Sequence, residues 1–512
     1  MNLNFLFIFF IIVLCLSILI TYLSIKINKN AIETVNDMGI GWNLGNTFDS
    51  YSTVEEMRTP DEQITLWGNK LPTKKIFLKI KKYGIKTIRL PVTWMHFMDN
   101  SGNVKKEWLS RVKEVVFWIT KSRMYCILNI HHDSSDENWL AKGMSAKQKF
   151  DNLWTQIANE FKDFNEYLIF ECMNDSEGNE NYDYITILAF SQSCIDIIRN
   201  SGGKNGNRLL IMPGKSKDID LTLSKAYKIP IDPANKFAIS VHYFVPTPFT
   251  VEKDDDPWTF TNELGLKIIK PLTKWGDENN YKEMFIYFET MKEKYIKKGI
   301  PVVITETGVI TEQKKEPDSI RQFIKSEFIF SADYNGIMSC LWDNSQRKFG
   351  ETNYYDREND VWFDKKIGEN FKIISKGKFV KPSKYIEPSN MDIIRTPTNE
   401  GHMKITIGLR ENIFKISFNV KINTDYKSVV FGLCTINSSG IWHGERIEGS
   451  IGEKIYDGTY TFTIYASNRD FNNYIEIQRW WGEEHITFNY LRIDFKQNYN
   501  FFDYNEYIKK AN

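Results

Sequence analysis

Cysteine is scarce in this chain. There are six in 512 residues, at positions 15, 126, 172, 194, 340 and 434. No pair has metal-ligand spacing, and the six do not form a disulfide framework. Net charge is nearly absent too: 66 Lys and Arg against 65 Asp and Glu leave +1. That balance gives no sign of a nucleic-acid or acidic partner. No glycine-rich phosphate loop follows the first apolar strand, which counts against a nucleotide fold. No internal repeat is evident. Charge is missing altogether from residues 5–23, FLFIFFIIVLCLSILITYL. The run is long for a signal-peptide core and about the length of a membrane span. No basic residue precedes it, no small-residue cleavage site follows, and Lys26 and Lys29 come after. The expectation is entry to the secretory pathway, with residues 1–30 a signal peptide or a membrane anchor.

Aromatics, by contrast, are plentiful, with 14 Trp and 25 Tyr. They suit sugar stacking and large cores equally. Apolar runs alternate with helical spacing from about residue 39. Strands are expected at 39–45, 86–92, 124–132, 167–174, 208–214, 237–244, 301–305 and 336–344. Helices are expected at 73–83, 107–121, 145–164, 183–200, 281–298 and 318–331, with a last one after Phe363. The segment 245–280 reads as an extended loop. Eight strands mostly alternating with helices predict a (β/α)₈ TIM barrel over 31–380; an open doubly wound sheet is the alternative. From about 385 the texture changes to short alternating strands, predicting a sandwich-like all-β domain over 385–496 and a tail at 497–512.

In such a barrel the C-terminal strand ends converge on one face. There stand Asn43 and Asn46, Arg89, His131 and His132, Asn174 and Asp175, His242 with Tyr243 and Phe244, Glu306, and Trp342. Each has a dull explanation alone: a structural salt bridge, a core histidine, a core tryptophan. Together, two carboxylates, an Arg, several His and an indole suit glycoside cleavage. The rival is a metal site at His131 and His132. Adjacent residues on a strand point to opposite faces, which argues against one shared ion. Nothing calls for a cofactor.

At these residues the chain resembles glycoside hydrolase family five, the clan A cellulase family, and above all its endoglucanases. The likeness rests on GWNLGNTFD (41–49), IKTIRLPVTW (85–94), ILNIHHD (127–133), LIFECMND (168–175), VHYF (241–244), GIPVVITETG (299–308) and LWDN (341–344). It spans roughly 31–375. By that resemblance Glu306 is the nucleophile and Asp175 holds the acid/base position. Asn43, Arg89, His131, His132, Asn174, His242, Phe244 and Trp342 bind substrate or surround the nucleophile. A cellulose-like β-glucan is the implied partner, and retaining endo-β-1,4-glucanase the implied activity. Two positions depart from the pattern. The family's acid/base is Glu, and Asp withdraws the carboxyl by about 1.5 Å. Misplacement of about 1 Å can slow a reaction around a hundredfold. Two positions after His242 the family usually has a Tyr that hydrogen-bonds the nucleophile; here it is Phe244. The alternative function is therefore a glycan-binding pseudoenzyme on the same barrel. The all-β region is either a carbohydrate-binding module, with Trp442, Trp480 and Trp481 as platforms, or a sandwich that shields the barrel.

Overall fold

The computed structural model describes residues 29–379, except 55–57, 136–137, 175–183, 216–218, 224–226, 252–258, 263–264, 269–272, 277, 312–314 and 346–350, together with seven strands between 391 and 495. The apolar run at 5–23, the acid/base position Asp175 and the expected tail at 497–512 lie outside the described residues. No described helix is long and apolar enough to cross a membrane.

Eight parallel strands close into a barrel: β1 (Ile40–Asn43), β2 (Ile85–Leu90), β3 (Tyr125–Asn129), β4 (Leu168–Glu171), β5 (Leu210–Met212), β6 (Phe237–Tyr243), β7 (Val302–Thr307) and β8 (Ile337–Leu341). β1 and β8 form the closing seam, where Gly41 pairs with Cys340. A Cβ on Gly41 would lie 2.2 Å from the Cys340 sulfur, so only glycine lets these strands meet. The outer helices stand where helical spacing places them, including α2 (Lys74–Lys81), α3 (Lys106–Lys121), α4 (Lys147–Phe161), α5 (Tyr184–Asn200), α6 (Glu278–Lys294), α7 (Pro317–Asp333) and α8 (Lys365–Ile374).

Helix α1 (Ala31–Met38) closes the bottom. Asn30 caps it reciprocally with Glu33, each bond 2.9 Å. Its apolar face, Ala31, Val35 and Met38, packs into one buried cluster with Tyr125, Ile127, Ile169, Ile211, Ala238, Val303 and Met338. Those strand residues mark the inward row. Two residues further along β3 and β4 the row turns polar: Asn129 follows Ile127, and Glu171 follows Ile169. Apolar floor and polar roof thus come from the same period of two.

Strands β3, β4 and β8 are shorter than the apolar runs predict, ending at Asn129, Glu171 and Leu341. The residues beyond leave strand geometry to build the site. The segment read as an extended loop also carries a two-stranded hairpin, Thr259–Asn262 with Gly265–Ile268.

In the C-terminal region the described strands pair antiparallel in two sheets. One holds Met391–Ile394, Ile486–Phe495, Ile413–Ile422 and Gly458–Tyr465 in that order. The other holds Trp442–Arg446, Val430–Ile436 and Ile475–Trp481.

Candidate active site

Arg89 stands at the centre of the polar roof, with no exposure. Its guanidinium has five N–H donors, and five contacts are in place. Nε and Nη2 grip the Glu171 carboxylate at 2.7 and 2.8 Å. Nη1 donates to Asn43 Oδ1 at 3.0 Å and to Glu306 Oε1 at 2.9 Å. Nη2 also donates to Asn174 Oδ1 at 2.6 Å. One side chain thus ties together strands β1, β2, β4 and β7. Burial works against its charge, but Glu171 and then Glu306 outweigh that and hold its pKa above the ordinary value. Glu171 responds in the opposite sense: burial raises its pKa and the Arg89 charge offsets only part of the rise.

Glu306 reaches this network through an irregularity. Strict alternation from the inward Val303 would turn Glu306 outward. Between β6 and β7, however, Val241 pairs with Ile304 and His242 with Glu306, so Thr305 is an extra residue. Such a bulge re-aims the following side chain. The Thr305 hydroxyl meets Ser240 at 2.7 Å, and its carbonyl accepts Asn43 Nδ2 at 2.9 Å. The Glu306 carboxylate is then held by Arg89 on Oε1, with His242 Nδ1 at 3.7 Å from Oε2. Tyr243 faces the other way, its ring parallel to Phe323 on α7 at 6.1 Å. Phe244, half-buried, brings no hydroxyl to Glu306.

Trp342 follows β8, half-buried, its ring parallel to His131 at 5.5 Å and 6°. Two features fix the indole. Asp343, fully buried, accepts from Trp42 Nε1 at 2.8 Å and from the backbone of Ser345, Tyr354 and Tyr355. Gly45 supplies the space: a Cβ there would lie 3.1 Å from Trp342 Cζ2 and 3.0 Å from the Asp343 carbonyl. Gly45→Ala is expected to push the indole by a few tenths of an ångström. A structure of the variant should show the displaced ring.

His131 and His132 overturn one expectation. They do not sit on the strand, so the opposite-faces argument does not apply. The backbone turns at His131 (φ −104°, ψ −102°), and His132 opens a 3₁₀ turn to Ser134. The two rings are 4.5 Å apart, edge to face. With Asp49 they offer ligand atoms all within 4.8 Å of one another. Asp49, buried, accepts from the backbone of Asn46 at 2.9 Å and Thr47 at 2.6 Å; burial pushes its pKa up to about 6. His132 also packs against Tyr51 and Trp67, at 5.0 and 5.6 Å between ring centroids.

The strand-end residues expected to converge thus do so, Asn43, Arg89, His131, His132, Asn174, His242, Glu306 and Trp342 among them. Sequence reasoning missed Glu171, Asn129 and Asp49. Glu171 was findable: it shares parity with the inward Ile169, and a buried carboxylate needs a partner.

A sequence profile of the family Cellulase (glycosyl hydrolase family 5) matches residues 45–348. The chain belongs to glycosyl hydrolase family 5. Endoglucanase A of Clostridium longisporum is 33% identical over 339 residues, covering 64% of this chain and 61% of that protein. Among solved structures, a GH5-4 broad specificity endoglucanase from an uncultured bovine rumen ciliate is 52% identical. The match has a TM-score of 0.67 and covers 69% of this chain and 99% of that one. A family 5 lichenase mutant from Caldicellulosiruptor sp. F32, solved with cellotetraose, is 28% identical. Its TM-score is 0.60, and the match covers 68% of this chain and 96% of that one. The family 5 match ends at residue 348, so the C-terminal strands lie outside it.

Proposed function

We propose that this protein is a retaining endo-β-1,4-glucanase acting on cellulose-like β-glucans. The observation that carries the reading is the Glu306 carboxylate held 2.9 Å from Arg89 at the C-terminal face of the barrel. The Glu306 carboxylate, engaged by Arg89 on Oε1, attacks the anomeric carbon. The guanidinium keeps the carboxylate ionised, as a nucleophile requires. Asp175 protonates the departing glycosidic oxygen, and a glycosyl ester forms on Glu306. Asp175 then takes a proton from water, which cleaves the ester with retention. His131, His132, Asn174 and His242 bind glucose hydroxyls, and Trp342 stacks on a ring. The names of the relatives, endoglucanases and a lichenase, support this class of substrate.

A second reading rests on Asp175 and Phe244: a cleft that binds glucan without turnover. Reducing-sugar release from barley β-glucan and carboxymethylcellulose separates the two, with the parent beside Asp175→Glu. Release by the parent is expected, rising in Asp175→Glu as the carboxyl regains its reach. A silent parent that binds cello-oligosaccharides and gains turnover in Asp175→Glu would establish the binding protein instead. The run at 5–23 supports export, by cleavage or by anchoring. The C-terminal strands support a sandwich-like domain that serves as a carbohydrate-binding module or as a cover for the barrel.

A further inference from the structure

In the polar roof, the orientation of the Asn129 amide is fixed by its neighbours. Asn129 ends β3 with no exposure. Its Oδ1 accepts the Val92 N–H at 3.1 Å. Its Nδ2 lies 3.2 Å from His131 Nδ1, and the side chain hydrogen-bonds the Glu171 carboxylate. Flipping the amide would set Nδ2 against the Val92 N–H and Oδ1 against a carboxylate, two repulsive contacts for two attractive ones. The donor facing His131 is therefore an N–H, and Nδ1 must accept. A ring nitrogen that accepts carries no proton, so the neutral ring holds its proton on Nε2.

We propose that Asn129 is a positioning residue that keeps His131 neutral, with its proton on Nε2 as a hydrogen-bond donor to a sugar hydroxyl. Protonating Nδ1 would set N–H against N–H. The ring's parallel stack on Trp342 fixes its plane. The titratable groups around it are His132 on the same turn, Asp49 from the loop after β1, and Glu171 with Arg89 beyond Asn129. Asp49 favours the cation, and the Asn129 amide opposes it. The same bond decides the Asp49, His131 and His132 cluster. Ligation through His131 Nε2 would have to strip the ring's sole proton while Nδ1 faces a donor, opposite to the accepting partner a metal-bound histidine normally has. His131 is thus set to donate to a sugar hydroxyl and not to ligate a metal.

The kinetic consequence rests on the glucanase reading; the protonation state does not. The test is NMR of the full-length protein with isotope-labelled histidine, His131 being assigned from the signal lost in His131→Gln. A free histidine charges near pH 6.5. His131 is expected to show the Nε2-protonated neutral pattern from pH 8 down to pH 5, unchanged by added Zn²⁺. Titration near pH 6.5, an Nδ1-protonated ring, or a Zn²⁺-induced shift would each overturn the proposal. Asn129→Asp puts an acceptor against Nδ1 and is expected to move the proton there. Hydrolysis of β-glucan at pH 8, where the ring is neutral, should then fall about tenfold, the loss of one hydrogen bond to substrate. An unchanged His131 pattern in that variant would also refute the assignment. If it does not fold, the parent's titration decides alone. If the parent hydrolyses nothing, the spectra still stand and only the glucanase reading fails.

Discussion

Arg89→Met is expected to lower stability by about 3–5 kcal/mol, because it strands two buried carboxylates at once. Methionine fills much of the volume but supplies none of the five donors now used by Glu171, Glu306, Asn43 and Asn174. In calorimetry the barrel's melting midpoint should fall by roughly 5–10 °C, and hydrolysis should vanish. The deficit should also depend on pH, and its sign follows from Glu171. Burial already raises the pKa of that group in the folded protein. Without the guanidinium it rises further above the unfolded value of about 4.3. A carboxyl with a raised folded pKa penalises the native state where the unfolded chain is ionised, above that value, and imposes no penalty below it. The variant should therefore approach the parent's stability as pH falls toward 4, and lose most ground at neutral pH and above. A deficit that grew on acidification would mean the two carboxylates are not what the guanidinium holds.

The barrel was legible because its signal repeats. Eight apolar runs, most of them followed by a helix-spaced segment, leave few ways to cover both faces of every strand. The strand-end residues were legible for the same reason: period two and a common direction bring them to one face. What escaped was local departure from that period. His131 and His132 look like strand residues, and only the turn at His131 brings both toward Asp49. Nothing in PVVITETG announces that Thr305 is an extra residue, although the direction of Glu306 depends on it. A bulge is a property of two paired strands, and one strand's sequence does not contain it. Asn129 was passed over for another reason. An Asn at a strand end has many roles, and its role here joins His131, two residues on, to two partners distant in sequence, Val92 and Glu171.

Glu306→Gln should separate function from stability in the opposite way to Arg89→Met. The amide cannot attack an anomeric carbon, so turnover is expected to drop at least about a thousandfold. The native state, however, gains from the change. One guanidinium now serves two carboxylates, and the Glu306 charge adds to the rise in the Glu171 pKa. Glutamine keeps an oxygen for Arg89 Nη1 while removing that repulsion. The folded barrel should be more stable by about 1 kcal/mol, the usual scale when a charged catalytic group is neutralised. The melting midpoint should then equal or exceed the parent's, and cello-oligosaccharide affinity should persist in calorimetric titration. A variant that lost stability as Arg89→Met does would show that the Glu306 charge is a structural partner of Arg89 before it is a nucleophile. A dead but firmer barrel would show the reverse: the carboxylate is kept at the expense of stability because the chemistry needs it.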